Sequence, residues 1–406
     1  MEKLFREYAK LIVKKGVNVS QGQMVVINSP VEVYPFTRIL VEECYKAGAG
    51  YVEVDYSDMY NNKQKINNVS LDTLTNIPSY VIDRYKSFVE KGFCRISLTS
   101  PDANATVGID LAKQKALNMA SSKALNFMQN YFMANHGQWC VAGVASKAWA
   151  DKVFAGKDNN VQLLWEAIFA AAHVKEEGSV EAWEAHSLEI TKHADLLNSL
   201  NLERLTFKNS LGTDLEVYLA IDNVFAGGDE YSSKQIRFSP NIPTEEVFGM
   251  PFKTKVNGRV FASKPLDYAG TLITDFWLEF KDGKVVAFDA AEGKEALANL
   301  VNFDEGSSYL GEVALLSYHS PISMMNVIFY NTLFDENASC HLALGRAYPM
   351  NVKDGVNLSE EELAKKGANF SNTHVDFMFG TADMEVKGYT KDGKEIQIFT
   401  KGDFVI

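Results

Sequence analysis

The sequence predicts a chain in two parts: a mostly parallel α/β domain over residues 1–200 and an α+β, antiparallel β-rich domain over residues 201–406. Three observations carry this. Strand-like and helix-like segments alternate through the first half, which implies parallel strands with helices on the sheet faces. Beyond about residue 205 the apolar period shortens to two, and two K-D-G-K turns separate alternating runs, the pattern of antiparallel hairpins. The change falls near residues 195–205 without a low-complexity linker, and 406 residues are more than one ordinary core accommodates.

Met1–Val17 opens with charges (Glu2, Lys3, Arg6, Glu7, Lys10) spaced around Leu4, Phe5, Tyr8, Leu11 and Ile12, the pattern of an amphipathic helix. Gln23–Ser29 is a short β-branched run and reads as a strand. Tyr34–Ala47 has helical spacing and ends before Gly48 and Gly50. Tyr51–Val54 follows as a strand, Thr73–Lys91 as a helix and Phe93–Leu98 as a strand. Helical patterns cover Leu111–Asn135, an apolar run covers Trp139–Ala145, and Val161–Val174 and Val180–Leu200 are two further helices. In the second half, Leu205–Leu219 is a pair of alternating runs about Gly212, Thr271–Ala290 pivots on Lys281–Lys284, and Lys391–Lys394 repeats the turn near the end. Lys294–Val301 is a helix between them.

The composition is that of a globular protein, with 46% apolar and 23% charged residues. A formal net charge of −12 repels phosphate backbones, so nucleic acid is an unsuitable partner. No apolar run is long enough to span a bilayer, and the N-terminal segment lacks the continuous apolar stretch of an export signal. The four cysteines (Cys44, Cys94, Cys140, Cys340) are scattered and form no C-x-x-C, which is expected of reduced thiols in the cytosol.

Several common chemistries are missing from the pattern. The chain has no phosphate loop, no G-x-S-x-G elbow and no H-E-x-x-H, and Gly48–Gly50 precedes a strand instead of following one. Acidic residues and histidines gather instead in four short pieces: PNIPTEE (Pro240–Glu246), LGEVALL (Leu310–Leu316), FDENASCHLALGRAYP (Phe334–Pro349) and NTHVDFM (Asn372–Met378). His374 and Asp376 form H-x-D, and residues two apart on a strand share a face, so imidazole and carboxylate can meet one ion. Each piece also has a plain reading. Glu245 and Glu246 suit a helix start, Glu312 a loop, and Asp335, Glu336 and Asn337 a turn. What favours a site is the embedding of these charges among residues that seek burial, where an unpaired charge is costly.

The four pieces, in this order, resemble the thermophilic metalloaminopeptidase (aminopeptidase T, M29) family, densely over residues 238–380 and weakly over the N-terminal half. The resemblance implies an exopeptidase with a two-metal centre and a broad preference for N-terminal residues, working as a homodimer; acidic and imidazole ligands suit divalent ions such as Zn, Co or Mn. Carried over by motif, the ligands are Glu246, Glu312, His341, His374 and Asp376, with Glu336 a weaker candidate and Tyr348 placed near the metals. On this reading Glu312 bridges the ions, Tyr348 donates to the oxyanion, and Glu245 or Glu336 carries a proton to the leaving amine. Three alternatives compete: a cysteine hydrolase built on Cys340, an inactive metal- or peptide-binding protein, and a two-metal hydrolase of an ester or phosphate, the acidic balance disfavouring phosphate esters. His136, His173, His186, His193 and His319 receive no role; His186 and His193 lie seven apart and share a helix face.

Overall fold

The computed structural model describes residues 1–102 and 104–406. By its contacts the chain divides into two compact units, residues 1–185 with 229–243, and residues 186–228 with 244–406.

The first unit is a five-stranded parallel sheet in the order Asn241–Ile242, Trp139–Gly143, Cys94–Thr99, Met24–Pro30, Tyr51–Ser57. Met24–Pro30 holds Val25, Val26 and Ile27 fully out of water, as expected of a strand covered on both faces. Polar N-caps start several helices: the side chains of Asp58, Ser70, Asp110 and Ser146 accept from backbone N–H groups three residues on. The amphipathic opening is a helix over Glu2–Leu11, and its Phe5 ring packs edge-on against Trp165, 4.8 Å between centroids.

Two of the expected helices are broken. The 73–91 pattern resolves into Leu71–Thr75 and Ser79–Glu90, because Pro78 disfavours helical backbone at the residue before it. The 111–135 pattern resolves into Leu111–Ala124 and Asn126–Met133. Residues 229–243 belong with this unit through Arg237, which pairs with Asp229 at 2.7 Å and with Glu184, and through Trp183, whose indole N–H donates to Ser239 at 2.9 Å.

The second unit holds two large antiparallel sheets and a two-stranded one formed by Leu266–Tyr268 and Thr271–Ile273. One large sheet has eight strands in the order Lys284–Asp289, Trp277–Lys281, Pro251–Phe261, Asp214–Leu219, Leu202–Lys208, Glu385–Thr390, Glu395–Thr400, Asp403–Phe404. The other has five: His374–Met378, His341–Gly345, Leu310–Leu315, Val247–Gly249 and Ala226–Gly227. One apolar cluster contains side chains of both, among them Leu205, Phe207 and Leu215 from the first and Val313, Leu342 and Phe377 from the second. The expected hairpin at Lys281–Lys284 is present, with Asp282 and Gly283 both at positive φ (51° and 81°) as a two-residue turn requires. The second K-D-G-K is a longer loop closed by Thr390 N–H donating to the Lys394 carbonyl at 3.1 Å. Among the described residues, no helix is long and apolar enough to cross a membrane.

Candidate metal centre

In the five-stranded sheet of the second unit core and opposite-face positions alternate, apart from a register shift between Leu310 and Glu312. In Leu310–Leu315, Val313 and Leu315 enter the apolar core; in His341–Gly345, Leu342 and Leu344 do; in His374–Met378, Phe377 does, with Val375 packed against it. The alternate positions therefore emerge together on the other face, since side chains of a strand point to its two sides in turn. Pairing of Glu312 with Ala343 and of Ala343 with Asp376 sets these three in one row across the strands. Pairing of Ala314 with His341 sets the next row, and pairing of Gly345 with His374 sets the row on the other side. Glu246, immediately before Val247–Gly249, completes the group.

Ligand atoms converge there in two clusters, Glu246–Glu312–His341 and Glu312–His374–Asp376, each with its atoms within 4.8 Å of one another. His341 Nε2 lies 3.1 Å from Glu246 Oε2 and 3.1 Å from Glu312 Oε1. The other oxygen of Glu312 faces His374 Nε2 at 3.7 Å, and Asp376 Oδ1 faces the same nitrogen at 3.3 Å. Glu312 is thus common to both clusters, with a different oxygen toward each histidine. His341 is fully buried, Glu312 is 5% exposed and Glu246 9%.

Small residues make this face possible. Ala343 stands between Glu312 and Asp376 and Ala314 beside His341, so these positions among the ligands carry only a methyl group. The glycine of L-G-E has a specific task. A Cβ on Gly311 would come within 2.2 Å of the Arg346 carbonyl oxygen, and that oxygen accepts the Nδ1–H of His374 at 2.7 Å. Close backbone approach at Gly311 therefore permits the hydrogen bond that fixes the tautomer and aim of His374.

With its proton on Nδ1, His374 turns the lone pair of Nε2 toward Asp376 Oδ1, a buried oxygen with no hydrogen bond of its own. Two acceptors facing each other at 3.3 Å require a cation between them, either a proton or a metal ion. The electrostatics agree. Burial, with Glu246 and Asp376 nearby, pushes the Glu312 carboxyl up to about 7 against the opposing hydrogen bond from His341. Burial works against charge on His374, but the carboxylate of Asp376 outweighs it and raises the imidazole to about 9. His341 is likewise held well above the usual imidazole range by Glu246 and Glu312, despite its burial. Three carboxylates and two imidazoles packed out of water form a donor set suited to divalent cations such as Zn, Co or Mn, and the residues fit such ions.

The remaining candidates lie around this centre. Glu336, just after the Thr332–Asp335 helix, is in neither cluster; burial and the charges of Glu246 and Asp376 raise its carboxyl well above the carboxylate range. Asp335 plays the turn role expected of D-E-N, accepting from the N–H groups of Phe329 at 2.7 Å and Asn331 at 2.9 Å. Tyr348 lays its ring 4.7 Å from the His374 imidazole, centroid to centroid. Burial, followed by the carboxylates of Glu312 and Asp376, raises its phenol. Glu245 belongs to neither of these two clusters, and its carboxylate lies 3.6 Å from His186. Its backbone N–H is held by Asn337 Oδ1 at 2.7 Å. Asn337, a turn residue by the D-E-N pattern, thus also supports the Glu245 backbone.

Cys340 belongs to the apolar core, where its thiol donates to the Leu316 carbonyl at 3.3 Å and burial pushes it up to about 11. That is the setting of an inert thiol, not of a nucleophile. His193 stacks on Phe404, 4.1 Å between ring centroids, which accounts for it as a packing residue.

The chain is similar to known proteins along almost its whole length. The profile of the family described as thermophilic metalloprotease (M29) matches residues 1–404. Aminopeptidase AmpS of Bacillus subtilis (strain 168) is 42% identical over 399 residues, which is 98% of this chain and 97% of that protein. Aminopeptidase 2 of Geobacillus stearothermophilus is 39% identical over 405 residues, 99% of this chain and 98% of that one. The solved structure described as wild-type AmpT from Thermus thermophilus superposes with a TM-score of 0.92 at 33% identity, covering 100% of both chains.

Proposed function

This chain belongs to the thermophilic metalloprotease (M29) family, and on that premise we propose that it is a metal-dependent aminopeptidase with a two-metal centre, releasing N-terminal residues from peptides. The observation that carries the reading is the sharing of Glu312 between the two clusters, one oxygen toward His341 and the other toward His374. Glu246 and His341 would hold one divalent ion, His374 and Asp376 a second, and Glu312 both. Such ions polarise a scissile carbonyl and lower the pKa of water, the chemistry that peptide hydrolysis at neutral pH needs.

The chain's own groups supply the rest. Tyr348, kept protonated by its raised phenol, donates a hydrogen bond to the oxygen that gains charge as the carbonyl carbon becomes tetrahedral. Glu336, whose raised carboxyl retains a proton beside the centre, hands that proton to the leaving amine. Glu245 is less suited to that task, because its carboxylate is directed toward His186. The surplus of carboxylates favours a substrate with a free ammonium over a blocked terminus. The names of the relatives, all aminopeptidases, support the exopeptidase class.

The test is amino-acid release from matched peptides with free and N-acetylated termini, on protein stripped of metal and then reloaded. Metal-dependent release from the free peptide alone is expected. No release with Zn, Co or Mn would favour an inactive metal- or peptide-binding protein.

A further inference from the structure

We propose that Phe248 forms the wall of the subsite that receives the side chain of the substrate's N-terminal residue, and that it selects medium and large apolar side chains. This rests on the aminopeptidase reading. The strand Val247–Gly249 pairs with Leu310–Leu315 so that Phe248 is opposite Ala314, and Ala314 is opposite His341. Side chains directly opposite in an antiparallel pair share a face. Phe248 therefore emerges on the ligand face, in the row of His341 and two residues after Glu246. Ala314, standing between Phe248 and His341, carries only a methyl group.

Phe248 is also anomalous as a core residue. Its neighbours Val247 and Gly249 are buried, whereas Phe248 is only half-buried and is absent from the apolar core that takes Val247. Gly249 packs so tightly on its own side that an added Cβ would meet the Phe225 ring at 3.0 Å. By strand parity this ring lies on the face of the carboxylates, with part of its surface in water. Its ring meets that of Tyr348 edge-on at 6.4 Å, and Tyr348 in turn lies 4.7 Å from the His374 ring. The two rings make an aromatic rim around the ligands. The face carries backbone-proximal carboxylates for the ammonium and the metals, and the apolar surface at its edge is what an aliphatic or aromatic side chain would cover.

The experiment compares kcat/KM of the metal-loaded enzyme for leucyl and alanyl substrates of the same leaving group, in wild type, Phe248→Ala and Phe248→Leu, with metal content measured in each. A pocket contact of this size discriminates by roughly 10-fold or more. Phe248→Ala should lower the leucyl-to-alanyl ratio by about that factor at wild-type metal content, with Phe248→Leu in between. The Leu variant, which loses less volume than Ala, keeps the test open if the Ala variant does not fold. An active wild type with the same ratio in either folded variant overturns the subsite alone. A metal-loaded wild type inactive on both substrates overturns the aminopeptidase reading and this inference with it.

Discussion

At the scale of single residues, the centre is a set of like charges that folding has forced together and that only cations reconcile. Glu312 shows this most clearly. Removing its charge by Glu312→Gln should abolish the rise in Tm on adding metal. The chelated variant should nevertheless melt at or above the chelated wild type at pH 8, because an amide needs no proton to be buried. Thermal melts with and without chelator measure both effects, and a destabilised chelated variant would contradict the crowding argument. Tyr348 acts differently. Tyr348→Phe should leave metal content intact and lower kcat by roughly 100-fold, the usual cost of one oxyanion donor, and an unchanged kcat would remove it from the mechanism. Cys340 should be silent: iodoacetamide applied to the folded protein should spare activity, because the thiol is buried and pushed up to about 11.

At the scale of elements, the strand His341–Gly345 separates function from stability by parity. His341, Ala343 and Gly345 face the ligands; Leu342 and Leu344 face the core. Ala343→Leu would put a branched side chain between Glu312 and Asp376, and should expel metal while the protein stays folded. Leu342→Ala, one residue away, should lower stability by about 2–5 kcal/mol through the cavity it leaves, while the folded fraction keeps its metal. Metal analysis and denaturant melts on the pair distinguish the two faces, and equal metal loss in both would mean the faces are not independent. This parity was partly legible beforehand. The H-x-D spacing at His374 and Asp376 announces a shared strand face, and L-G-E-V-A-L announces a carboxylate among apolar neighbours. The role of Gly311 was not, because the Arg346 carbonyl that needs its missing Cβ lies 35 positions on in the sequence.

For the whole molecule, the metal-free centre binds protons more tightly when folded than when unfolded. Glu312 is raised from 4.5 to about 7, so its contribution is full below pH 4.5 and is lost as pH rises through 7. His374 is raised from 6.5 to about 9, and its contribution is lost as pH rises from 6.5 through 9. The metal-free protein should therefore lose stability between about pH 5 and pH 9. Bound metal displaces those protons, so the gain in Tm on adding metal should grow over the same interval. Calorimetry at pH 6 and pH 8.5, with and without metal, tests the sign; a larger gain at pH 6 would refute it.

What the sequence determined by itself is whatever depends on neighbours in the chain. The period of apolar residues separated a parallel α/β half from an antiparallel half, Asp282–Gly283 dictated its turn through positive φ, and the acid-rich pieces marked where charge had to be buried. Pro78 was equally local, and its helix break was there to be read. Only the tertiary structure decided how those pieces meet. Strand register, set by which face finds an apolar partner, put Glu312, Asp376 and His341 around Ala343. Core packing committed Cys340 to inertness, and the Arg237 ion pairs returned residues 229–243 to the first unit. Those outcomes depend on contacts between residues far apart in the chain, and no local pattern specifies them.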